Sequence, residues 1–138
     1  MNADGVIIDA NIAFKCLRSG RGDLRARIGP GGHPTFYSPR FLFVELFKHK
    51  ERLERASGLA ETDLLAGLHA LLSQLAFVNE AKIPMGTWVE AYRLCKGIDE
   101  SDTAYVALTL HLDGRFWTED KELKAALRAR GFDRFYEP

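Results

Sequence analysis

The hydrophobic pattern of this chain alternates between short apolar runs, which strands favour, and apolar positions three or four residues apart, which helices favour. Val6-Ile7-Ile8 is a β-branched run and predicts a buried strand ending at Asp9. From Asn11 to Leu17 the apolar residues fall at helical spacing, Ile12 with Cys16 and Ala13 with Leu17. Residues 19–34 hold five of the 12 glycines, two prolines and three arginines, and read as a basic loop. Thr35-Phe36-Tyr37 is a second strand. Ser38-Pro39 then matches a helix N-cap followed by proline at the first helical position, and predicts a helix over about 39–56. Ser57-Gly58 breaks it, and the amphipathic spacing of Leu64, Leu65, Leu68, Leu71, Leu72 and Leu75 predicts the next helix over 61–75.

Phe77-Val78 reads as a short strand, and Pro84 and Gly86 introduce a helix over 87–95 that Gly97 ends. Residues 101–112 are apolar almost all round, which predicts a buried helix whose polar N-terminus must face something. Asp113-Gly114 turns into a strand, Arg115-Phe116-Trp117. Thr118 is expected to cap a last helix over 120–130, closed by Gly131, and Phe135-Tyr136 reads as a final edge strand. Strands alternating with helices predict an α/β fold with a mostly parallel sheet covered by helices on both sides.

Length and composition agree with that reading. At 138 residues, 46% apolar and 28% charged, the chain is expected to form a single domain over 1–138 with an ordinary core, and the composition argues against a disordered or fibrous protein. The apolar stretches fall far short of the ~20 residues a transmembrane helix needs, so no membrane span is expected. Asp4 and Asp9 bracket the only N-terminal apolar run, so no secretory signal is expected either. Cys16 and Cys95 have no metal or redox spacing and read as reduced, buried thiols of a cytoplasmic protein.

Charge changes the picture by its distribution. The formal net charge is zero, yet residues 14–55 hold ten Lys and Arg against four acids, a net of +6. Residues 99–122 hold seven acids against two bases, a net of −5. A basic rim and a separate acid-rich segment are what a metal-dependent enzyme acting on a polyanion needs. Solvated helix faces are the plain alternative.

Five acids stand out. In parallel sheets function collects beyond the carboxyl ends of the strands, where Asp9 and Asp120 fall. Asp99 and Asp102 share one face at i, i+3 spacing ahead of the buried helix. Glu45 lies in an otherwise apolar helical stretch, which calls for a partner inside the fold. The competing reading makes Asp9, Asp99, Asp102 and Asp120 helix caps or helix-end charges, worth about 0.3–1 kcal/mol each. Convergence would set carboxylates against one another by about 4 kcal/mol per pair at ~4 Å and an effective dielectric near ~20. A cation removes that repulsion, and an all-carboxylate set selects Mg²⁺ or Mn²⁺ over zinc.

These residues also carry a resemblance. Val6-Ile7-Ile8-Asp9-Ala10-Asn11 resembles the opening Asp-x-Asn motif of PIN-domain nucleases, and Ser38 to Leu46 resembles their second motif, with its acid at Glu45. Asp99 to Leu108 is similar to the third motif and Phe116 to Leu123 to the fourth. The four occur in the family's order and span nearly the whole chain. The resemblance implies a three-layer α/β/α sandwich in which Asp9, Glu45, Asp102 and Asp120 bind Mg²⁺ or Mn²⁺. Asn11 and Thr118 would support them, with Asp99 outside the metal's immediate ligands. It also implies metal-dependent cleavage of RNA, homodimers, and, as in many small VapC-type members, a toxin held in check by an antitoxin protein.

Water attacking a phosphodiester must be activated at neutral pH and the transition-state charge stabilised, and carboxylate-held cations do both. No serine or cysteine nucleophile with an ordered base is apparent, and His33, His49, His69 and His111 make no metal or triad spacing. His33 and His49 lie in the basic segment and are candidates for phosphate contact. Lys15, Arg18, Arg21, Arg25, Arg27 and Arg40 are the candidates for a substrate-binding rim. Phe14, Tyr37 and Trp88 sit in apolar settings and read as core rather than as base-stacking rings. Two alternatives compete: a catalytically silent PIN-like module binding protein or nucleic acid, and a haloacid-dehalogenase-type phosphotransferase. The latter wants a second aspartate where Asn11 stands.

Overall fold

A computed structural model describes residues 5–18, 24 and 34–138. Strand β1 (Gly5–Ile8) is buried along its whole length, as its β-branched run requires. It belongs to a four-stranded, all-parallel sheet with β2 (Thr35–Pro39), β3 (Leu75–Val78) and β4 (Arg115–Trp117), in the order β3-β2-β1-β4. Parallel neighbours need crossovers. Helix α1 (Ala10–Arg18) follows β1; α2 (Phe41–Lys48), α3 (Lys50–Ser57) and α4 (Glu61–Ser73) lie between β2 and β3. Helices α5 (Met85–Cys95) and α6 (Thr103–Leu112) lie between β3 and β4, and α7 (Lys121–Ala129) follows β4.

Helix α6 packs on β1, β2 and β4 with α5 behind it, while α1 packs with α2, α3 and α4. The flanked parallel sheet is the α/β architecture expected. Ile7, Ile8, Phe36, Tyr105, Leu108 and Phe116 are fully buried around the sheet, and burial of such a side chain contributes about 1.5–3 kcal/mol. Chain order reverses at β1, whose neighbours lead toward β3 on one side and β4 on the other, so the carboxyl end of β1 is the switch point where α/β sheets open a crevice.

Several boundaries differ from the sequence reading. Ser38 and Pro39 end β2 instead of opening a helix, since the pairing of β2 with β3 runs on to Pro39 and Val78. The N-terminus of α2 is satisfied from afar: the Glu80 carboxylate accepts the Phe41 N–H at 2.9 Å. The helix expected over 39–56 is interrupted at His49, which has φ −110° and ψ 13° and joins α2 to α3. Asp120, not Thr118, caps α7 by accepting the Leu123 N–H. Phe135 makes an isolated parallel bridge to Phe116 in place of a full edge strand. Of the expected basic loop, Leu24 and Pro34 are described; Leu24 is fully buried and donates its N–H to Gln74.

Gly114 fixes how closely β4 approaches β1. A Cβ there would stand 2.7 Å from the Gly5 carbonyl oxygen and 2.9 Å from Ile7 Cδ1, so no other residue fits without a shift. Cys16 and Cys95 are both buried. Among the described residues no helix is long and apolar enough to cross a membrane.

Candidate metal centre

The register between β1 and β4 builds the floor of the site. Ile8 pairs with Trp117, and the Asp9 N–H donates to the Trp117 carbonyl, so Asp9 and Thr118, one residue further along each strand, stand side by side. Both are buried, Asp9 at 3% and Thr118 at 1% exposure. The Thr118 hydroxyl donates to the Asp9 carboxylate and accepts the Asp120 N–H at 3.2 Å. Oδ1 of Asp9 also accepts the Ile12 N–H at 2.8 Å, which caps α1, and Oδ1 of Asp120 accepts the Leu123 N–H at 3.0 Å. Each cap engages one carboxylate oxygen, so capping and metal ligation are not exclusive at these positions.

Asp102 behaves differently. It sits at the N-terminus of α6 but makes no side-chain cap bond there, so the helix-cap reading lacks its hydrogen bond at this residue. Its neighbour Asp99 accepts from the N–H and hydroxyl of Ser101 and caps the 3₁₀ turn that carries Asp102. Glu45 reaches in from α2 and accepts the Tyr105 hydroxyl at 3.2 Å. Tyr105, fully buried on α6, is the interior partner that the isolated carboxylate called for. Sequence reading missed it by treating Tyr105 as one more apolar position, although a buried tyrosine hydroxyl needs a partner.

All five carboxylates, Asp9, Glu45, Asp99, Asp102 and Asp120, line one cavity of about 150 Å³, with Asn11, His49 and Arg52 at its wall. Burial is the main reason that the Asp102 pKa rises to about 8; Asp99, Asp9 and Glu45 push it further by repulsion, and the proton Asp102 retains is hydrogen-bonded to Asp99. Asp9 rises to about 6, again chiefly by burial and then by repulsion from Asp120 and Glu119, against the lowering effect of its bonds to Thr118 and Ile12. Burial followed by repulsion from Glu45 pushes the Tyr105 phenol up. Asp99 is thus a direct hydrogen-bonding neighbour of Asp102.

Among the described residues no three acids, histidines or cysteines stand together as a ready-made coordination cage. The chemistry of the donors nonetheless fits a hard divalent cation. The cavity is walled by carboxylates, which repel one another, and Mg²⁺ keeps several of its waters while binding one or two carboxylates directly. Water can therefore bridge such an ion to carboxylates standing further off.

The acidic cavity adjoins a wider cleft of about 450 Å³ that it shares with Asn11, Phe14, His49, Arg52 and Asp120, and which Lys15, Arg18 and Glu119 also line. Arg18 of the expected rim is therefore placed at the cleft. Arg40 is not: its guanidinium bonds Glu80 and Asn79, and it lines neither cavity. Arg21, Arg25, Arg27 and His33 lie outside the described residues. Arg52 was not among the candidates, and Phe14, read as core, stands half-buried on the cleft wall.

A family model described as PIN domain matches residues 7–134. A search of curated proteins finds no match.

Proposed function

From the premise that the chain belongs to the PIN-domain family, a family of nucleases that typically use divalent ions, we propose that it is a metal-dependent endoribonuclease. What carries the reading is the meeting of five carboxylates from four separate segments in one cavity at the carboxyl ends of β1, β2 and β4. Asp9, Glu45, Asp102 and Asp120 would hold Mg²⁺ or Mn²⁺; the ion supplies an activated water and neutralises charge on the phosphate. The protein's own part is to hold these groups in place. Thr118 orients Asp9 and Asp120, Tyr105 orients Glu45, and Asp99 accepts a hydrogen bond from the protonated Asp102 carboxyl.

We extend the proposal to a toxin of a type II toxin–antitoxin pair, working in the cytoplasm as a homodimer. Exposed apolar side chains support that part: Val44, Phe47 and Leu65, and on α5 Met85, Val89 and Tyr92. The test is incubation of total RNA with the protein in Mn²⁺ and in EDTA, followed by sequencing of the fragment ends. Cuts at defined positions that vanish in EDTA support the nuclease. Intact RNA in both, with no metal-induced rise in thermal stability, leaves the catalytically silent binding module instead.

A further inference from the structure

The carboxylates reach the acidic cavity by unequal means. Asp9, Asp99 and Asp120 each cap the element they precede, and Asp102 rides on the turn that Asp99 caps. Glu45 comes from α2, a helix of eight residues that buries Leu42 and Leu46 and leaves Val44 and Phe47 largely exposed. So short a helix is not stable by itself in water, and Arg40, the residue before it, gives its start no side-chain cap. Phe41 and Glu45 are one turn apart and share a face. Tyr105 spans both: its ring meets Phe41 edge-on at 6.4 Å and its hydroxyl donates to Glu45 at 3.2 Å.

The Phe41 N–H is the group that Glu80 holds. Oε2 of Glu80 accepts it at 2.9 Å, and Oε1 accepts the Arg40 Nε–H at 3.2 Å, so both oxygens of the carboxylate are committed to the start of α2. The 3₁₀ turn that carries Glu80 is itself fixed. Asn79 accepts from the Ala81 N–H at 3.0 Å and from the Arg40 guanidinium at 2.6 Å, and the Trp88 indole N–H on α5 donates to the Glu80 carbonyl at 3.1 Å.

We propose that Glu80 is a positioning residue: by anchoring the first turn of α2 to the turn after β3, it places the Glu45 carboxylate in the acidic cavity. The inference rests on the metal-dependent reading of that cavity and adds to it a residue that lines neither the cavity nor the cleft. A slip of α2 by one residue would carry Glu45 about 1.5 Å along the axis and about 100° around it, which breaks its bond to Tyr105. Phe43 stacks on Phe77 at 4.7 Å and holds α2 toward β3, but apolar contact is non-directional. A hydrogen bond to one particular N–H fixes the register.

The test uses the full chain with its tyrosines carrying ¹³C at Cζ. In EDTA the Tyr105 resonance, assigned by its loss in Tyr105→Phe, reports the bond to Glu45 without any metal; calorimetric titration with Mn²⁺ is the second readout. Glu80→Ala is expected to move the Tyr105 resonance toward its position in Glu45→Ala and to weaken Mn²⁺ binding about tenfold. In the Glu45→Ala background it should weaken binding no further. Glu80→Gln keeps an oxygen for the Phe41 N–H and should stay within about twofold of the parent. Should Glu80→Ala fold poorly, Trp88→Phe, which removes the bond to the Glu80 carbonyl, takes its place, with a loss of about threefold that also vanishes in Glu45→Ala. The proposal is overturned if the Tyr105 resonance stays at its parental position, if the losses in Mn²⁺ affinity add in the double variant, or if glutamine fails to rescue. A Tyr105 resonance that moves as expected in a protein that binds no Mn²⁺ would count against the metal reading and leave Glu80 as the residue that places Glu45.

Discussion

Replacing Asp102 by asparagine is expected to make the metal-free protein more stable while abolishing cleavage. The Asp102 carboxyl has a pKa of about 8 in the fold against an ordinary value of 3.8. Below about pH 4 the group is protonated whether the chain is folded or not, and contributes no difference. Between about pH 4 and 8 the folded chain keeps a proton that the unfolded chain has lost, so the metal-free protein loses stability as the pH rises, and the loss is complete above pH 8. At about 1.4 kcal/mol per unit the full displacement corresponds to ~6 kcal/mol; the cavity is open to water, and screening leaves about 2–3 kcal/mol. Asparagine keeps the shape and lacks the charge. In EDTA at pH 8 it should raise Tm by roughly 7–10 °C for a chain of this length, with the gain shrinking toward zero near pH 4. In Mg²⁺ the parent should be stabilised much more than the variant, and the variant's cleavage of RNA should fall by orders of magnitude. Melts in EDTA and in Mg²⁺ at both pH values, run beside a cleavage assay, give all three readings. A variant that is less stable than the parent in EDTA at pH 8, gains as much from Mg²⁺ and still cuts RNA would refute the reasoning.

Tyr105→Phe keeps the ring between Phe41 and Phe116 and removes only the bond to Glu45; stability should change by no more than about 1.5 kcal/mol, while kcat falls about tenfold with KM nearly unchanged in steady-state kinetics. Joint replacement of Arg21, Arg25 and Arg27 by alanine should weaken RNA binding and flatten its salt dependence by up to about 2 in log–log slope, and an unchanged slope takes the loop off the substrate path. Light scattering at high micromolar concentration should show a dimer, given the exposed Met85, Val89 and Tyr92 on one helix; a monomer alone would remove that part of the proposal.

The elements that packing dictates were readable in the sequence. Val6-Ile7-Ile8 is buried on both faces, and a strand of that kind announces itself as an unbroken β-branched run. What local pattern could not show are features supplied from a distance. Ser38-Pro39 has the form of a helix start, but the donor at the start of α2 is satisfied by Glu80, some forty residues on, and the same carboxylate with Asn79 draws Arg40 away from the cleft. The break at His49 carries no proline or glycine to mark it. Yet that residue lines both cavities, and Arg52, one turn further along α3, joins it on both walls.

The acids divide in the same way. Asp9 and Asp120 follow strands, and the register that sets Ile8 against Trp117 explains why two residues more than a hundred positions apart serve one cavity through Thr118. Their spacing alone left the cap and ligand readings open, and the structure shows why: both carboxylates do cap helices, each through one oxygen. Asp102 differs from them, because it stands at a helix start, makes no cap bond there, and is driven first by burial and then by its neighbours' charge into holding a proton at neutral pH. A carboxylate whose only function is to favour a helix terminus gains nothing from such surroundings. Under the proposed metal-binding role the same burial and crowding would count in favour of the site, since a divalent cation would replace the proton and offset the repulsion among the carboxylates.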